Sequence, residues 1–302
     1  MLDFFTHDDC LRHETPAGHP ERPARLAAVF HRFEADGLLD EFSCHTPAPA
    51  NDETLARVHD PRYIDALVRA APTDGLLQVE RDTVMSPGSL TAARLAAGGV
   101  VEAVERVLDG TSRRAFCAVR PPGHHAESAT VMGFCLFNSI AVGAAAALER
   151  VDRVAILDFD VHHGNGTVEI FQDRPEALVC SSFQYPYYPG IRQDVARPNI
   201  VNTPLAAGTG SPGFRVAIER DWLPALEAHR PELILVSAGF DAHRADPLAG
   251  LELEDDDYHW ITGLIVDAAE RFADGRVVST LEGGYDLDAL ARCAALHVQG
   301  LL

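Results

Sequence analysis

A short apolar run that leads directly into acidic and histidine residues constrains the fold of this chain most. Residues 154–157 are all hydrophobic, and Asp158, Asp160, His162 and Gly164 follow at once. Such a run is typical of a buried parallel strand whose carboxyl end opens into a loop. Open α/β sheets build their binding sites at that end. The segment therefore predicts a central strand with a polar site behind it, in preference to a solvated loop with capping aspartates.

Three further apolar runs end in the same way. They span residues 115–119, 233–236 and 277–281, and the polar loops 120–125, 237–241 and 282–285 follow them. Helical patterns occupy residues 89–108, 138–150, 212–229 and 257–273. This alternation predicts an α/β fold with a predominantly parallel, multi-stranded sheet and helices on both faces. Because parallel strands end at one edge of a sheet, we expect the four loops to meet in one active site.

The bulk properties favour one large domain. The chain has 302 residues, of which 47% are hydrophobic, so it can bury a sizeable core. We see no linker-like, low-complexity or repeated segment, and we expect residues 1–302 to form a single domain. A net charge of −20 argues against direct binding to nucleic acid. The lack of a signal peptide or membrane-spanning segment predicts a cytoplasmic protein, with oligomer formation left open.

Asp160, His162 and Asp241 form a candidate metal site. Two carboxylates and an imidazole suit a divalent transition metal such as zinc. Three protein ligands leave one position for water and substrate, which is typical of a catalytic zinc site. Burying neighbouring aspartates without a cation would be costly. The alternative for Asp241 is a helix cap or a turn residue.

His124 and His125 are adjacent on a loop, where they could be metal ligands, surface residues or acid/base groups. Since the metal already has three ligands, we predict acid/base work. Each imidazole needs an orienting partner, and Asp158 and Asn165 are the nearby candidates. A carboxylate stabilises an imidazolium and an amide does not. The two histidines are therefore expected to differ in pKa and in role.

Tyr285 follows two glycines, whose backbone freedom can place its hydroxyl at the pocket. A tyrosine hydroxyl beside a metal can stabilise the oxyanion of a tetrahedral intermediate. The alternative is a half-buried packing residue. Several loop aromatics could wall a narrow channel for an aliphatic side chain or pack in the core. They are Phe134, Phe183, Tyr185, Tyr187 and Tyr188.

Taken together, these motifs resemble the zinc-dependent histone deacetylase family, in particular its class II-like bacterial amidohydrolases, with an arginase-like fold. The motifs that match the family's order are residues 19–23, 120–125, 158–167, 237–243, 246–248 and 282–285. Asn165, where class I members carry an aspartate, is similar to class II. The match covers nearly the whole chain.

The resemblance implies a zinc hydrolase that removes acetyl or other short acyl groups from the ε-amine of lysine. His125 would be the general base, and His124, paired with Asp158, would assist electrostatically and in proton delivery. Tyr285 would polarise the scissile carbonyl, and Arg22 would lie near an internal cavity. The zinc ligands would be Asp160, His162 and Asp241.

The resemblance also implies substrate-binding residues and a structural potassium ion. The substrate-binding residues would be Gly133, Phe134, Tyr188, Leu248, Gly283 and Asp82. The potassium ion would be held by Asp158, Asp160, His162, Ser182 and Phe183. Both sets come from the family's pattern alone.

The substrate is open between an acylated lysine in a peptide or protein and a small N-acyl amine. Polyamine-deacetylating relatives carry a glutamate seven residues after the third zinc ligand, where this chain has Leu248. That difference favours acyl-lysine over acetylpolyamine, although Asp255, Asp256 and Asp257 could still supply negative charge. An arginase-type dinuclear hydrolase and a binding module without activity are further alternatives.

Overall fold

The computed structural model describes residues 1–302, in ten strands and nine α-helices. The strands are β1 Leu2–Phe5, β2 Phe42–His45, β3 Leu77–Gln78, β4 Val84–Met85, β5 Arg114–Cys117, β6 Val154–Asp158, β7 Ala177–Gln184, β8 Ile200–Leu205, β9 Leu233–Ala238 and β10 Val277–Leu281. The helices are α1 Ala24–Ala35, α2 Asp52–Leu55, α3 Pro61–Ala70, α4 Ser89–Leu108, α5 Ser139–Ala147, α6 Asn165–Phe171, α7 Ser211–His229, α8 Asp255–Phe272 and α9 Leu287–Leu301. Two short 3₁₀ turns lie at Asp8–Arg12 and Leu38–Glu41.

Eight of the strands form one parallel sheet in the order β2-β1-β5-β10-β9-β6-β7-β8. The remaining two, β3 and β4, pair as a small antiparallel ribbon. In the main sheet Asp158 lies opposite Ser237, and Ala238 lies opposite Leu281. Three central strands, β6, β9 and β10, therefore end side by side at one edge. The predicted parallel α/β architecture is confirmed.

The helices cover the sheet in two groups. In one group α9 packs against both α1 and α8, and in the other α4 packs against α5. Four of the strands between them, β6, β7, β9 and β10, are buried along their whole length. This explains why their sequences are continuous apolar runs without alternation. No helix of the protein combines the length and apolar character that crossing a bilayer requires.

The predicted elements agree with the structure to within a few residues. The predicted helix at 89–108 coincides with α4, and the Asn138 side chain caps α5 by accepting a hydrogen bond from the Ala141 N–H at 3.1 Å. The predicted strand at 115–119 stops earlier, at Cys117. Its neighbour β1 ends at Phe5, opposite Cys117, so the β1–β5 ladder ends at that pair.

Candidate active site

Three predicted metal ligands converge where β6 and β9 end. Asp160, His162 and Asp241 are all buried, and their ligand atoms lie within 4.8 Å of one another. The His162 Nδ1 is 3.1 Å from the Asp160 Oδ1 and 3.1 Å from the Asp241 Oδ2. Ligands about 2.0–2.2 Å from a tetrahedral zinc ion lie roughly 3.3–3.6 Å apart, so the donor spacing fits a small cation.

Backbone amides hold the two carboxylates in place. Oxygens of Asp160 accept from the N–H groups of His162 and Gly283, each at 2.9 Å, and Asp241 Oδ1 accepts from the Val161 N–H at 2.9 Å. A Cβ atom at Gly283 would collide with both carboxylates, so only glycine fits behind them. Gly283 therefore supports the metal ligands and does not lie among the residues that line the substrate cavity.

Charge also indicates a cation at this position. Burial raises the pKa of Asp241, and the nearby Asp160 carboxylate raises it further. Burial disfavours the charged form of His162, yet its hydrogen bonds to the two carboxylates raise its pKa to about 10. Two buried carboxylates around one imidazole thus favour positive charge at the point where their oxygens converge. The residues present fit a divalent metal ion.

A second group of potential ligands, His243, Asp255 and Cys293, is unsuited to metal binding. The His243 Nδ1 accepts the Ala245 N–H at 3.1 Å, so the neutral ring carries its proton on Nε2, which donates to Asp255 at 2.9 Å. A metal at Nε2 would require the neutral ring to lose its only proton, because Nδ1 already accepts a hydrogen bond. Arg292 also occupies the Asp255 carboxylate, with its Nε at 2.7 Å.

His124 has the carboxylate partner that the sequence predicts. Its Nδ1 donates to the Asp158 Oδ2 at 2.9 Å, and its Nε2 lies 3.8 Å from the Asp160 Oδ1. Burial opposes the imidazolium, but Asp158 and Asp160 outweigh it and hold the pKa of His124 well above its usual value. His124 is therefore the histidine that favours the charged form.

His125 has the amide partner, and its pKa is shifted in the opposite direction from that of His124. Its Nδ1 lies 2.7 Å from the Asn165 Oδ1, and its ring centroid lies 4.0 Å from that of His124, with the two rings tilted by 44°. Burial holds the pKa of His125 well below its usual value, and the positive charges of His124 and His162 lower it further. The two histidines thus differ in pKa, as the sequence predicts. His125 is the one suited to accept a proton.

Tyr285 stands across the site, with its ring 6.0 Å from that of Phe134. Burial raises the pKa of its hydroxyl well above the usual value, so the group remains a hydrogen-bond donor. Behind it the Arg25 guanidinium lies 4.9 Å from the ring centroid and donates from its Nε to the Gly284 carbonyl at 2.6 Å. These contacts fix the loop that carries the tyrosine.

A cavity of about 200 Å³ connects the site to the surface. Its walls are Asp82, His125, Gly133, Phe134, His162, Tyr187, Tyr188, Leu248 and Tyr285. The structure thus brings together five of the six predicted substrate-binding residues, Gly283 being the exception. A larger open cleft of about 690 Å³ lies between α7 and α8, but no cluster of catalytic groups converges there.

The rim of the cavity is held by hydrogen bonds to Asp82. The Tyr188 hydroxyl donates to its Oδ2 at 2.9 Å, and the Gly133 N–H and Thr83 hydroxyl donate to its Oδ1 at 3.1 and 2.8 Å. All three donors are neutral, so the negative charge of Asp82 has no cationic partner. Leu248 also lines the cavity, where it contributes an apolar side chain.

Two of the residues predicted to hold potassium, Asp160 and His162, are also candidate metal ligands, and the other three lie on the adjacent strands β6 and β7. Ser182 and Phe183 are buried on β7, next to the end of β6 that carries Asp158. Phe183 packs 4.6 Å from the His163 ring and so belongs to the core, whereas Tyr185 is exposed. The potassium site stays a prediction.

Several functional neighbours were not identified from the sequence. Arg22 is exposed, and the buried arginine behind Tyr285 is Arg25. The helical pattern could have indicated this, because Arg25, Val29 and Phe33 fall on one buried face of α1. Glu21 pairs with Arg25 and Arg120 in the same buried cluster, with contacts of 3.1 and 2.6 Å.

Comparison with known proteins agrees with this geometry. Residues 19–301 match the family model described as "Histone deacetylase domain". The chain is similar to the histone deacetylase-like amidohydrolase of Pseudomonas aeruginosa, with 40% identity over 294 residues that cover 94% of this chain and 77% of that protein. It is 34% identical to the polyamine deacetylase HDAC10 of Mus musculus over 309 residues, which cover 96% of this chain and 46% of that protein. The crystal structure of the HDA15 HD domain matches with a TM-score of 0.94 at 31% identity, covering 99% of this chain and 88% of that one.

Proposed function

Because this chain belongs to the histone deacetylase family, we propose that it is a zinc hydrolase that removes acetyl or other short acyl groups from the ε-amine of lysine. Its family and relatives make it an enzyme that acts on amide bonds. One observation carries the finer proposal. The donor atoms of Asp160, His162 and Asp241 converge beside His125 and Tyr285, at a narrow cavity with aromatic walls.

The proposed mechanism assigns one task to each side chain. Asp160, His162 and Asp241 would hold a zinc ion, which when bound would supply Lewis-acid chemistry by lowering the pKa of water and polarising a carbonyl oxygen. His125, neutral and with Nδ1 bound to Asn165, takes the proton of the attacking water at Nε2. The Tyr285 hydroxyl donates a hydrogen bond to the oxyanion that forms.

Departure of the amine requires a proton and a stable positive charge nearby. His124 donates its Nδ1–H to Asp158, which stabilises an imidazolium in the buried site. We assign His124 to electrostatic stabilisation and, with His125, to proton delivery to the amine. The walls formed by Phe134 and Tyr188 exclude water from an extended aliphatic chain.

Turnover of acyl-lysine peptides by the zinc-loaded protein tests this proposal. Acetyl-, propionyl- and trifluoroacetyl-lysine peptides would be compared, with Tyr285→Phe and His125→Ala as active-site variants. Each variant should lose roughly 100- to 1000-fold in kcat, the usual effect of losing an oxyanion donor or a general base. Tyr185→Phe removes the same hydroxyl from an exposed tyrosine and should leave kcat unchanged. Near-normal turnover by His125→Ala would contradict the mechanism.

The second candidate is a small N-acyl amine such as an acetylpolyamine. The observation in its favour is Asp82, whose carboxylate faces the cavity with only neutral hydrogen-bond donors and could attract a distal ammonium. The apolar Leu248 in the cavity lining favours the peptide. Competition between an acetyl-lysine peptide and acetylputrescine separates the two candidates, and a strong preference for acetylputrescine would establish the second.

We also propose that residues 1–302 act as one catalytic domain with one structural potassium ion. A single cluster of 80 buried residues runs from Leu2 to Leu301, which supports one cooperative unit. For potassium, the support is the burial of Asp158, Ser182 and Phe183 on the adjacent strands β6 and β7. Thermal unfolding tests both statements. We expect a single transition whose midpoint temperature rises when potassium is added but not when sodium is added.

A further inference from the structure

Glu127 connects the acid/base site to a surface loop. Its side chain is 13% exposed, and its Oε1 accepts a hydrogen bond from the Asn165 Nδ2 at 3.1 Å. The same oxygen accepts from the Arg192 Nε at 2.7 Å, and the other accepts from its Nη2 at 3.3 Å. Arg192 belongs to the loop 185–199 between β7 and β8, which also carries Tyr187 and Tyr188 of the cavity wall.

The surroundings of Asn165 determine which way its amide points. Its Nδ2 faces three acceptors, namely the Glu127 carboxylate, the His125 carbonyl at 3.3 Å and the Met132 Sδ at 3.4 Å. None of them can donate a hydrogen bond. A flipped amide would set its oxygen against the carboxylate and the carbonyl, which is unfavourable. The amide oxygen therefore points at His125.

This orientation selects the tautomer of His125. The Asn165 Oδ1 lies 2.7 Å from the His125 Nδ1 and can only accept, so Nδ1 carries the proton of the neutral ring. The Nε2 is then left without a proton and can act as a base. The opposite amide orientation would place a donor against Nδ1 and move the ring proton to Nε2, where the ring could not accept the proton of a water.

We infer that Glu127 is a positioning residue that holds the Asn165 amide in the orientation required for His125 to act as a base. Glu127 does not line the cavity and therefore acts through Asn165. Because Glu127 also pairs with Arg192, its hydrogen bond to the Asn165 amide depends on the position of the loop 185–199. The inference rests on the proposed function, in which His125 is the general base.

A purely structural ion pair predicts a different outcome. If Glu127 only tied down the loop, then Glu127→Leu and Arg192→Gln would have the same effect, mainly on KM and thermal stability. If Glu127 orients Asn165, then Glu127→Leu should lower kcat while KM stays within about twofold, because binding is left intact and chemistry is impaired. Arg192→Gln should change kcat much less.

The kinetic test uses the zinc-loaded enzyme. We expect Glu127→Leu to lose roughly 10- to 100-fold in kcat, part of what a general base contributes. Glu127→Gln should stay within roughly fivefold of the wild type, because its carbonyl oxygen can still accept from Asn165. Glu176→Leu breaks an ion pair with Arg174 elsewhere on the surface and should leave kcat unchanged. Equal kcat values for Glu127→Leu and the wild type would overturn the inference.

A second measurement is independent of turnover. Ring ¹⁵N shifts of histidine-labelled, metal-free protein distinguish the two neutral tautomers, and His125→Asn identifies the resonance. The wild type should show the proton on Nδ1, and Glu127→Leu should move it wholly or partly to Nε2. An unchanged tautomer in Glu127→Leu would overturn the inference even if kcat fell.

Two further outcomes remain decisive. If Glu127→Leu does not fold, Glu127→Asp replaces it, because the shorter side chain withdraws the carboxylate from Asn165 but keeps its charge near Arg192; the same shift of tautomer and loss of kcat are expected. If the wild type hydrolyses none of the substrates, the proposed function fails. The tautomer comparison then still decides whether Glu127 sets the His125 ring.

Discussion

The Asp246 carboxylate holds the backbone of Tyr285 through a 2.6 Å hydrogen bond from the Tyr285 N–H. The same oxygen accepts the N–H of Asp286 at 3.2 Å, just where α9 begins. Asp246 lies on the loop after β9, and Tyr285 lies on the loop after β10. This bond therefore joins the loop of Asp241, the third proposed metal ligand, to the loop of the proposed oxyanion donor.

Replacing Asp246 with alanine should impair catalysis more than binding. Without the acceptor, the Tyr285 backbone can shift, and a misplacement of about 1 Å can cost roughly 100-fold in rate. We therefore expect kcat on an acetyl-lysine peptide to fall about 10- to 100-fold, with KM little changed. Asp288→Ala, an exposed aspartate in the first turn of α9, is the control. Similar kcat values for the two variants would show that Asp246 has no positioning role.

Adding one methyl group at Gly283 should weaken zinc binding. The new Cβ would collide with the carboxylates of Asp160 and Asp241, which must then move apart. We expect Gly283→Ala to lower zinc affinity roughly 10- to 100-fold, as changes behind metal ligands commonly do. Titration against a chelating dye measures this.

Gly263→Ala is the matched control for that variant. A Cβ at Gly263 meets nothing within 4 Å, and the residue lies inside α8. We expect unchanged zinc affinity and a gain of about 0.5–1 kcal/mol in the free energy of unfolding, because alanine is the better helix former. Equal zinc affinities of Gly283→Ala and Gly263→Ala would contradict the steric argument.

The loaded enzyme should contain about one zinc ion per chain. Removing it with a chelator should abolish turnover, and zinc should restore it. His243→Ala should retain the ion because the His243 ring is committed to its Nε2–H tautomer, whereas Asp241→Ala should lose it. Metal analysis after dialysis measures the stoichiometry. A value near two would revive the dinuclear alternative.

Acid should destabilise the fold through His297. This ring lies in the core, with Nδ1 2.7 Å from the Thr262 hydroxyl oxygen and Nε2 2.8 Å from that of Ser279. Burial lowers its pKa from 6.5 to about 3. Below pH 6.5 the unfolded chain therefore binds a proton that the folded ring does not, and stability falls until the ring protonates near pH 3.

Urea unfolding at pH 7.5 and pH 4.5 isolates this contribution. Between these values the wild type should lose about 3 kcal/mol more than His297→Gln, whose side chain does not titrate. His31→Gln, at an exposed histidine, should behave as the wild type does. Equal losses in all three proteins would exclude His297 as the group responsible.

Local pattern was enough to predict the main elements and to group the candidate metal ligands. The runs at 154–157, 233–236 and 277–281 are continuous because both faces of their strands are buried, and this holds wherever the strands lie in the sheet. A parallel sheet then brings the three strand ends to one edge. Asp160, His162, Asp241 and Tyr285 could therefore be grouped before any contact was known.

Long-range partners could not be predicted in the same way. Gly283 was expected to touch substrate, but its N–H binds Asp160, 123 positions away along the chain. Arg22 was expected near an internal cavity, but it lies exposed just before α1, and the buried arginine is Arg25. Such outcomes depend on strand order and helix rotation, which the local sequence does not specify.

The sequence by itself determined the α/β class, the edge of the sheet at which the site lies, and the residue types that can bind a metal and move protons. These follow from hydrophobic periodicity and side-chain chemistry, which are properties of short segments. The tertiary structure alone decided which groups face one another, such as Glu127 with Asn165 and Asp246 with Tyr285. A hydrogen bond forms only when strand register and loop path bring donor and acceptor within about 3 Å, and both are set by the packing of the whole chain.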